Sequence, residues 1–393
     1  MKLAVIGFGQ AGGKVLDRLL EYDLERGTGV VSHAIAVNSA KTDLMSLECV
    51  PEENRVLIGQ TVVDGHGAGT EPSLGRQCAE ADLQRIQTAL DGATSEVDAF
   101  LVVAGLGGGT GSGGSPVLAD HLREIYTKPV YGLGILPAES EGGIYNRNAA
   151  DSLERFVDSV DNLLLFDNDA FKATGESLAE GYTAINDEIV TRFGSLFSAG
   201  ELDALGDTIA ESVVDASEII NTLGDRGITS VGYAAEELTT EQSGLLDRLK
   251  ADDEDIASEG DAAGRITSLV RRATLGKLTV PCGLESTKRA LLVVSGPPEQ
   301  LNRNGIEEAR SWLEERTGCL EVRTGDYPRP DADSVAAVVV FSGVTDIPRI
   351  DDVQAEAIRT EEFIWNTERE GTEDELEELV SYDNESKSSA LLD

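Results

Sequence analysis

Apolar positions in the first 170 residues fall into short continuous runs separated by stretches of helical period. Lys2–Ile6, His33–Val37, the run 99–104, Val130–Leu136 and Asn162–Phe166 read as buried strands, with Arg55–Leu57 a shorter one. Between them Gly13–Tyr22 gathers Val15, Leu16, Leu19 and Leu20 on one helical side, and Leu74–Leu90, 117–126 and Asn148–Val160 repeat that pattern. Buried strands alternating with amphipathic helices predict an α/β chain with a parallel sheet covered on both faces. Gly181–Phe197 is a longer helix, with Tyr182, Ile185, Ile189, Val190 and Phe193 at helical spacing. Beyond Gly224 the strands Ile228–Tyr233, Arg289–Ser295 and Ser334–Phe341, with helices near 265–273 and 302–316, predict a second α/β domain with a mixed or antiparallel sheet. Residues 251–264 hold six acids and no base and read as an exposed loop. After Ile350 hydrophobicity falls, and the tail is expected to be helical in patches or disordered. The expected division is 1–180, 181–223, 224–350 and 351–393.

Charge changes the picture of the surface. The 393 residues carry 72 acids against 32 bases, a net charge of −40, and only nine of the bases are Lys. The segment 351–393 accounts for −12, which leaves −28 on the folded body. Such a surface repels itself in dilute buffer and is screened near molar salt, which suits a salt-in cytoplasm of the haloarchaeal kind. Duplex nucleic acid is a poor partner for it. The four cysteines are scattered, with no CxxC pair and no His at ligand spacing, so neither a protein-held metal nor a disulfide framework is expected. No apolar stretch approaches the roughly 20 residues of a membrane span and no signal peptide is evident, so a cytoplasmic location is expected.

The candidate chemistry lies in glycine. Gly105-Leu-Gly-Gly-Gly-Thr-Gly-Ser-Gly-Gly-Ser-Pro116 follows the buried strand 99–104 directly, and Pro116-Val117-Leu118-Ala119 reads as the first turn of a helix. With side chains nearly absent, backbone N–H groups can close on an anion at the positive end of that helix, and Thr110 and Ser112 add hydroxyls. A flexible linker is the bland alternative, but linkers do not join a buried strand to a helix. Gly7-Phe8-Gly9-Gln10-Ala11-Gly12 sits just after the first strand and matches GxGxxG. A nicotinamide site would want an acid at the tip of the second strand, where this chain has Val37-Asn38-Ser39.

Two glycine loops from different strands, with a third at Gly67-Ala68-Gly69-Thr70, resemble the tubulin/FtsZ superfamily of GTPases, and the composition points to its CetZ branch. The resemblance covers roughly residues 1–350 and implies a Rossmann-like GTPase domain, a long central helix and a second α/β domain with a mixed sheet. It implies GTP or GDP as ligand, Mg²⁺ carried mainly by the nucleotide, and head-to-tail assembly of the chain with itself into filaments that control cell shape. Phosphate contacts would then fall to Gly9, Gln10, Ala11, Gly12, Asn38, Gly69, Thr70, Gly107, Gly108, Gly109, Thr110 and Gly111. Glu141 and Arg147 correspond to ribose contacts, Asn168 to the guanine reader, and Tyr182 and Asn186 to the stacking and hydrogen-bonding pair on the long helix. Asp215-Ala216-Ser217-Glu218 fits the Asp-x-x-acid that each subunit offers to its neighbour's γ-phosphate, so Asp215 and Glu218 are the expected hydrolytic acids. The tail shows no motif for an adaptor or a membrane.

Overall fold

The computed structural model describes residues 1–92, 96–172, 178–199, 214–238 and 254–367. In chain order the elements are β1 (Leu3–Phe8), α1 (Gly9–Arg26), β2 (Val31–Asn38), α2 (Lys41–Met45), β3 (Arg55–Leu57), α3 (Gln60–Val63), α4 (Pro72–Leu90), β4 (Ala99–Gly105), α5 (Gly109–Ile125), β5 (Val130–Leu136), α6 (Gly143–Ser159) and β6 (Asn162–Asp167). They continue with α7 (Asn168–Phe171), α8 (Leu178–Ser198), α9 (Ala216–Thr222), β7 (Ile228–Glu237), α10 (Glu254–Leu275), β8 (Arg289–Gly296), α11 (Arg303–Thr317), β9 (Val322–Pro328) and β10 (Ser334–Val344). A last helix, α12, spans 348–367.

The ten strands among the described residues join one sheet in the order β3-β2-β1-β4-β5-β6-β7-β10-β8-β9. The pairs from β3 to β7 are parallel. β10 runs antiparallel to β7 and β8, and β8 is parallel to β9. The C-terminal part of the sheet is therefore mixed, as expected, but it continues the parallel part in one sheet rather than forming a sheet of its own. Its edge strand β9 carries Thr, Gly, Asp and Tyr at consecutive positions and shows no apolar run, which hides it from the sequence. One core lies between the sheet and α4, α5, α6, α10 and α11, with Phe8, Phe100, Leu118, Phe156, Leu269 and Leu313 at its centre. The other fills the opposite face, where α1 and α8 cover Val5, Leu101, Leu133 and Phe166 with Leu16, Ile189 and Phe193.

Three helices start at glycines that lie earlier than their periodicity predicts. α1 begins at Gly9 rather than Gly13, α6 at Gly143 rather than Asn148, and α5 at Gly109 rather than Pro116. Glycine is a poor helix former, yet tertiary packing overrides propensity here. A Cβ on Gly113 would lie 1.9 Å from the Pro72 carbonyl oxygen, and one on Gly12 2.1 Å from that of Val103. These first turns are glycine because α5 lies against α4, and α1 against β4, at backbone distance. The acidic stretch expected as a loop through 264 is helical from Glu254 onward, and its first residues, 251–253, lie outside the described residues. Of the acidic tail, the part up to 367 continues α12 and the remainder lies outside the described residues.

Candidate functional site

In the strand order the chain leaves β1 toward β2 on one side and β4 toward β5 on the other, so β1 and β4 form the topological switch point. Open α/β sheets present their ligand crevice at the carboxyl ends of such strands. Both long glycine motifs lie there, and the N-termini of α1 and α5 converge. Gly9 has φ of +74° and sits so close to α5 that a Cβ would lie 2.9 Å from the Gly111 amide nitrogen. Two helices of 18 and 17 residues thus aim their positive ends and unpaired N–H groups at one place. Gln10 and Ala11 are exposed in the first turn of α1, while Gly12 is buried against β4.

The third glycine loop closes the cradle from the side. The Gly109 amide donates to the Gly69 carbonyl at 2.8 Å. Asn148 on α6 donates through Nδ2 to the carbonyls of Thr70 (2.8 Å) and Gly107 (3.0 Å), stitching the two loops together. Ser39 Oγ shares a 2.6 Å hydrogen bond with Thr110 Oγ1 and accepts from the Ala68 amide at 3.0 Å. Ser112 Oγ donates back to the Gly108 carbonyl. Both hydroxyls expected as anion donors are therefore engaged, Ser112 by donating to a carbonyl and Thr110 through a shared bond in which either oxygen can donate, and the backbone amides stand beside them as further donors. Asn38 is likewise engaged, donating to Asp43 Oδ2 at 3.1 Å and accepting from the Ala40 amide at 3.1 Å. Gln10 Nε2 reaches Asp43 Oδ1 at 3.4 Å. A Cβ on Gly108 would meet nothing within 4 Å, so that residue faces the open mouth of the cradle.

A second cluster stands beside the cradle at the ends of β5 and β6. Glu141 Oε1 accepts from the Ala138 amide at 2.7 Å and from Asn168 Nδ2 at 3.3 Å. Asn168 is 7% exposed, and its Oδ1 is buried without a partner. The Tyr182 phenol is pushed up to about 12, first by burial and then by the Glu141 carboxylate, to which it hydrogen-bonds. Asn186 follows one turn later on α8, half-buried. Glu141, Asn168 and Tyr182 thus meet although 41 residues of sequence separate the first from the last. Arg147 lies on the first turns of α6, with Nε 3.3 Å from Glu361 Oε1 of α12. That distance is ion-pair range without hydrogen-bond alignment, so Nε stays without a hydrogen-bond partner.

Asp215 and Glu218 are elsewhere. β7 begins beside Leu163, at the amino end of the parallel strands, and the two acids precede it. They lie roughly a strand length, about 20 Å, from the cradle end. Asp215 caps α9 by accepting from the Glu218 amide at 3.0 Å, and the Ser217 hydroxyl (2.5 Å) holds its carboxyl below the usual range. Glu218 Oε2 accepts from Arg323 Nη1 at 2.5 Å. The structure therefore groups the predicted residues into a cradle, a polar cluster beside it, and an acidic pair at the far edge. Ser39, Asn148 and Arg323 escape a reading of motifs because they act through partners at least 29 residues away.

Comparison with known proteins identifies the family. Residues 2–175 match the Tubulin/FtsZ family GTPase domain, and residues 175–359 match the tubulin-like CetZ C-terminal domain. The chain is 58% identical over 370 residues to the tubulin-like protein CetZ1 of Haloferax volcanii, covering 93% of each chain. Its fold superposes on CetZ1 from that organism, solved as a GDP-bound monomer, with a TM-score of 0.81 at 55% identity over 92% of this chain and all of that one. CetZ2 of the same organism, solved as a GTPγS-bound protofilament, gives 0.81 at 42% identity with the same coverage. The two family models together span residues 2–175 and 175–359, and the chain belongs to the CetZ branch of the tubulin/FtsZ family of GTPases.

Proposed function

We propose that this protein binds GTP across the N-termini of α1 and α5 and hydrolyses it at the contact between successive subunits of a head-to-tail filament. The observation that carries the reading is the unpaired Oδ1 of Asn168. A buried acceptor without a partner is costly, and guanine offers it two donors, N1–H and the 2-amino group, where adenine has an acceptor at N1 and no donor at C2. Tyr182 supplies the ring to stack on the base, and Asn186 a second polar contact. Glu141 orients Asn168 and, with Arg147, borders the ribose. The phosphates sit on the amides of Gly9–Gly12 and Gly107–Gly111, with Gly69 and Thr70 at the side. The GDP and GTPγS in the two Haloferax relatives support this ligand class.

Mg²⁺ bound to the triphosphate supplies neutralisation of the charge on its terminal oxygens. The surroundings fit that arrangement, since the cradle offers backbone donors and, at its rim, the Asp43 carboxylate held by Gln10 and Asn38. Asp215 and Glu218 face away from their own nucleotide, so a subunit stacked in the same orientation brings them to its neighbour's γ-phosphate. There a carboxylate accepts the proton of the attacking water, and Arg323 sets its direction. Such a contact is heterologous and propagates into a filament. In this reading residues 1–180 hold the nucleotide, 181–223 carry the long helix and the acids, and 224–350 face the next subunit. The filament serves cell shape in a salt-rich cytoplasm.

The test is made in molar KCl. Equilibrium binding of GTP and ATP is compared, and hydrolysis per subunit is followed against protein concentration. GTP is expected to be preferred, with specific activity rising as subunits assemble. Equal affinity for ATP, or turnover independent of concentration, overturns the reading.

A further inference from the structure

α12 lies outside the segments that bear the nucleotide motifs, yet it touches the base-and-ribose side of the site at its start and again beyond its middle. Near its start, Arg349 Nε donates to Asp167 Oδ1 at 3.2 Å and Nη2 donates to the Pro137 carbonyl at 2.9 Å. Three turns further on, Thr360 packs so closely on Gly143 that any side chain there would collide with it, and Glu361 faces Arg147. Val353 and Ala357, one helical turn apart, anchor the middle of the helix in the core. The helix is thus fixed in place, and Arg349 projects from a rigid element.

The two acceptors of Arg349 are the roots of the two loops that build the polar cluster. Pro137 precedes the turn that carries Glu141. Asp167 is the last residue of β6 and caps α7, accepting from the Asp169 amide at 3.2 Å, and Asn168 stands between them. Asp169 Oδ1 in turn accepts from the Glu139 amide at 3.3 Å, closing the web between the loops. The Arg349–Asp167 pair is nearly dry, with side chains 11% and 4% exposed. Burial raises the Asp167 carboxyl, and Arg349 is the first influence that opposes it. A planar guanidinium that spans a carboxylate and a carbonyl fixes two loops relative to each other, which a single ammonium does less well.

We propose that Arg349 is a positioning residue for guanine recognition: by clamping Pro137 and Asp167 together it sets the distance between Glu141 and Asn168, and so the direction of the Asn168 acceptor. This rests on the nucleotide reading above. Arg349 touches no part of the base. It acts through the loop roots, and its loss lets Asn168 turn its amide away from the edge it reads.

The test uses the full chain and compares GTP with ITP, which lacks the 2-amino group. In Arg349→Met, GTP affinity should fall about tenfold, the scale of one buried hydrogen bond. ITP affinity should fall less, so that the GTP-to-ITP ratio collapses. Arg349→Lys should recover part of that ratio. Because Arg349→Met strands a buried carboxylate, the double variant Asp167→Asn/Arg349→Met is measured beside it. It removes the charge, keeps a residue able to cap α7, and should melt near wild type with the ratio still collapsed. Parallel loss of GTP and ITP, or a ratio kept in the double variant, overturns the proposal while leaving the nucleotide site standing. A wild-type protein that does not prefer GTP over ITP overturns the guanine reading itself.

Discussion

Gly108 and Gly109 are neighbours that lack a side chain for opposite reasons. Gly108 has an ordinary φ of −85° and open space where its Cβ would go. Gly109 is wedged, with its Cβ position 2.8 Å from the carbonyl oxygens of both Ala68 and Gly69. Gly108→Val should therefore leave the melting temperature unchanged and fill the cradle, so that nucleotide binding is lost. Gly109→Ala should push the two loops apart, lowering stability by about 1–3 kcal/mol as overpacking does and weakening binding as a consequence. Thermal melts beside nucleotide titrations separate the two, and a Gly108→Val protein that binds GTP normally means the cradle is misplaced. Tyr182 gives a subtler case. Its phenol titrates at about 12, against an ordinary value near 10, so folding favours the protonated form. Its hydrogen bond to Glu141 is complete at neutral pH, and its contribution is lost only as pH rises through the folded value.

Elements show how far the chain can be read without a fold. β1, β4, β5 and β6 are buried runs, and both glycine motifs stand at strand ends, so the α/β class and the anion cradle are legible from periodicity and turn chemistry alone. Helix starts are not. A scale of propensities stops α5 at Pro116, whereas contact with α4 carries it back through seven residues of mostly glycine and serine. β9 is invisible because an edge strand has no need of a continuous apolar run. The polar stitches are invisible for a different reason. Asn148 reads as no more than the opening residue of a helix, and its two acceptors lie 41 and 78 residues back along the chain. Asn148→Ala removes both bonds and leaves the Gly107 and Thr70 carbonyls to find water. It should cost about 1–3 kcal/mol and loosen nucleotide binding, with hydrogen exchange rising in the 67–71 and 105–109 loops. Unchanged exchange there means that the loops are held by their glycine contacts alone.

On the scale of the whole molecule, charge and polarity act together. A body carrying −28 must bring like-charged faces into contact to assemble, so filaments should appear only where salt screens within a few ångströms, near molar KCl. Light scattering that is equal at 50 mM and 2 M salt would contradict this. The fold has its own direction: the anion cradle lies at the carboxyl end of the parallel strands and Asp215 and Glu218 at the amino end, so one chain cannot bring both to the same phosphate. Glu218→Gln is the sharpest probe of that separation. The Arg323 partner is 28% exposed and Glu218 37%, so losing their ion pair should cost no more than about 1 kcal/mol. GTP affinity should stay at the wild-type value, because no atom of the cradle is within reach of the substitution. Hydrolysis should fall by roughly 10²-fold, the scale of removing a positioned base, and filaments should persist with GTP still bound. Mixing provides the decisive arm. Gly108→Val subunits, which keep their acids but cannot hold nucleotide, should restore turnover to Glu218→Gln subunits when the two are combined, since an intact cradle then meets an intact acid across one contact. Failure of the mixture to exceed the sum of its parts would place the catalytic acid within a single chain, and loss of GTP binding in Glu218→Gln would place that residue in the cradle after all.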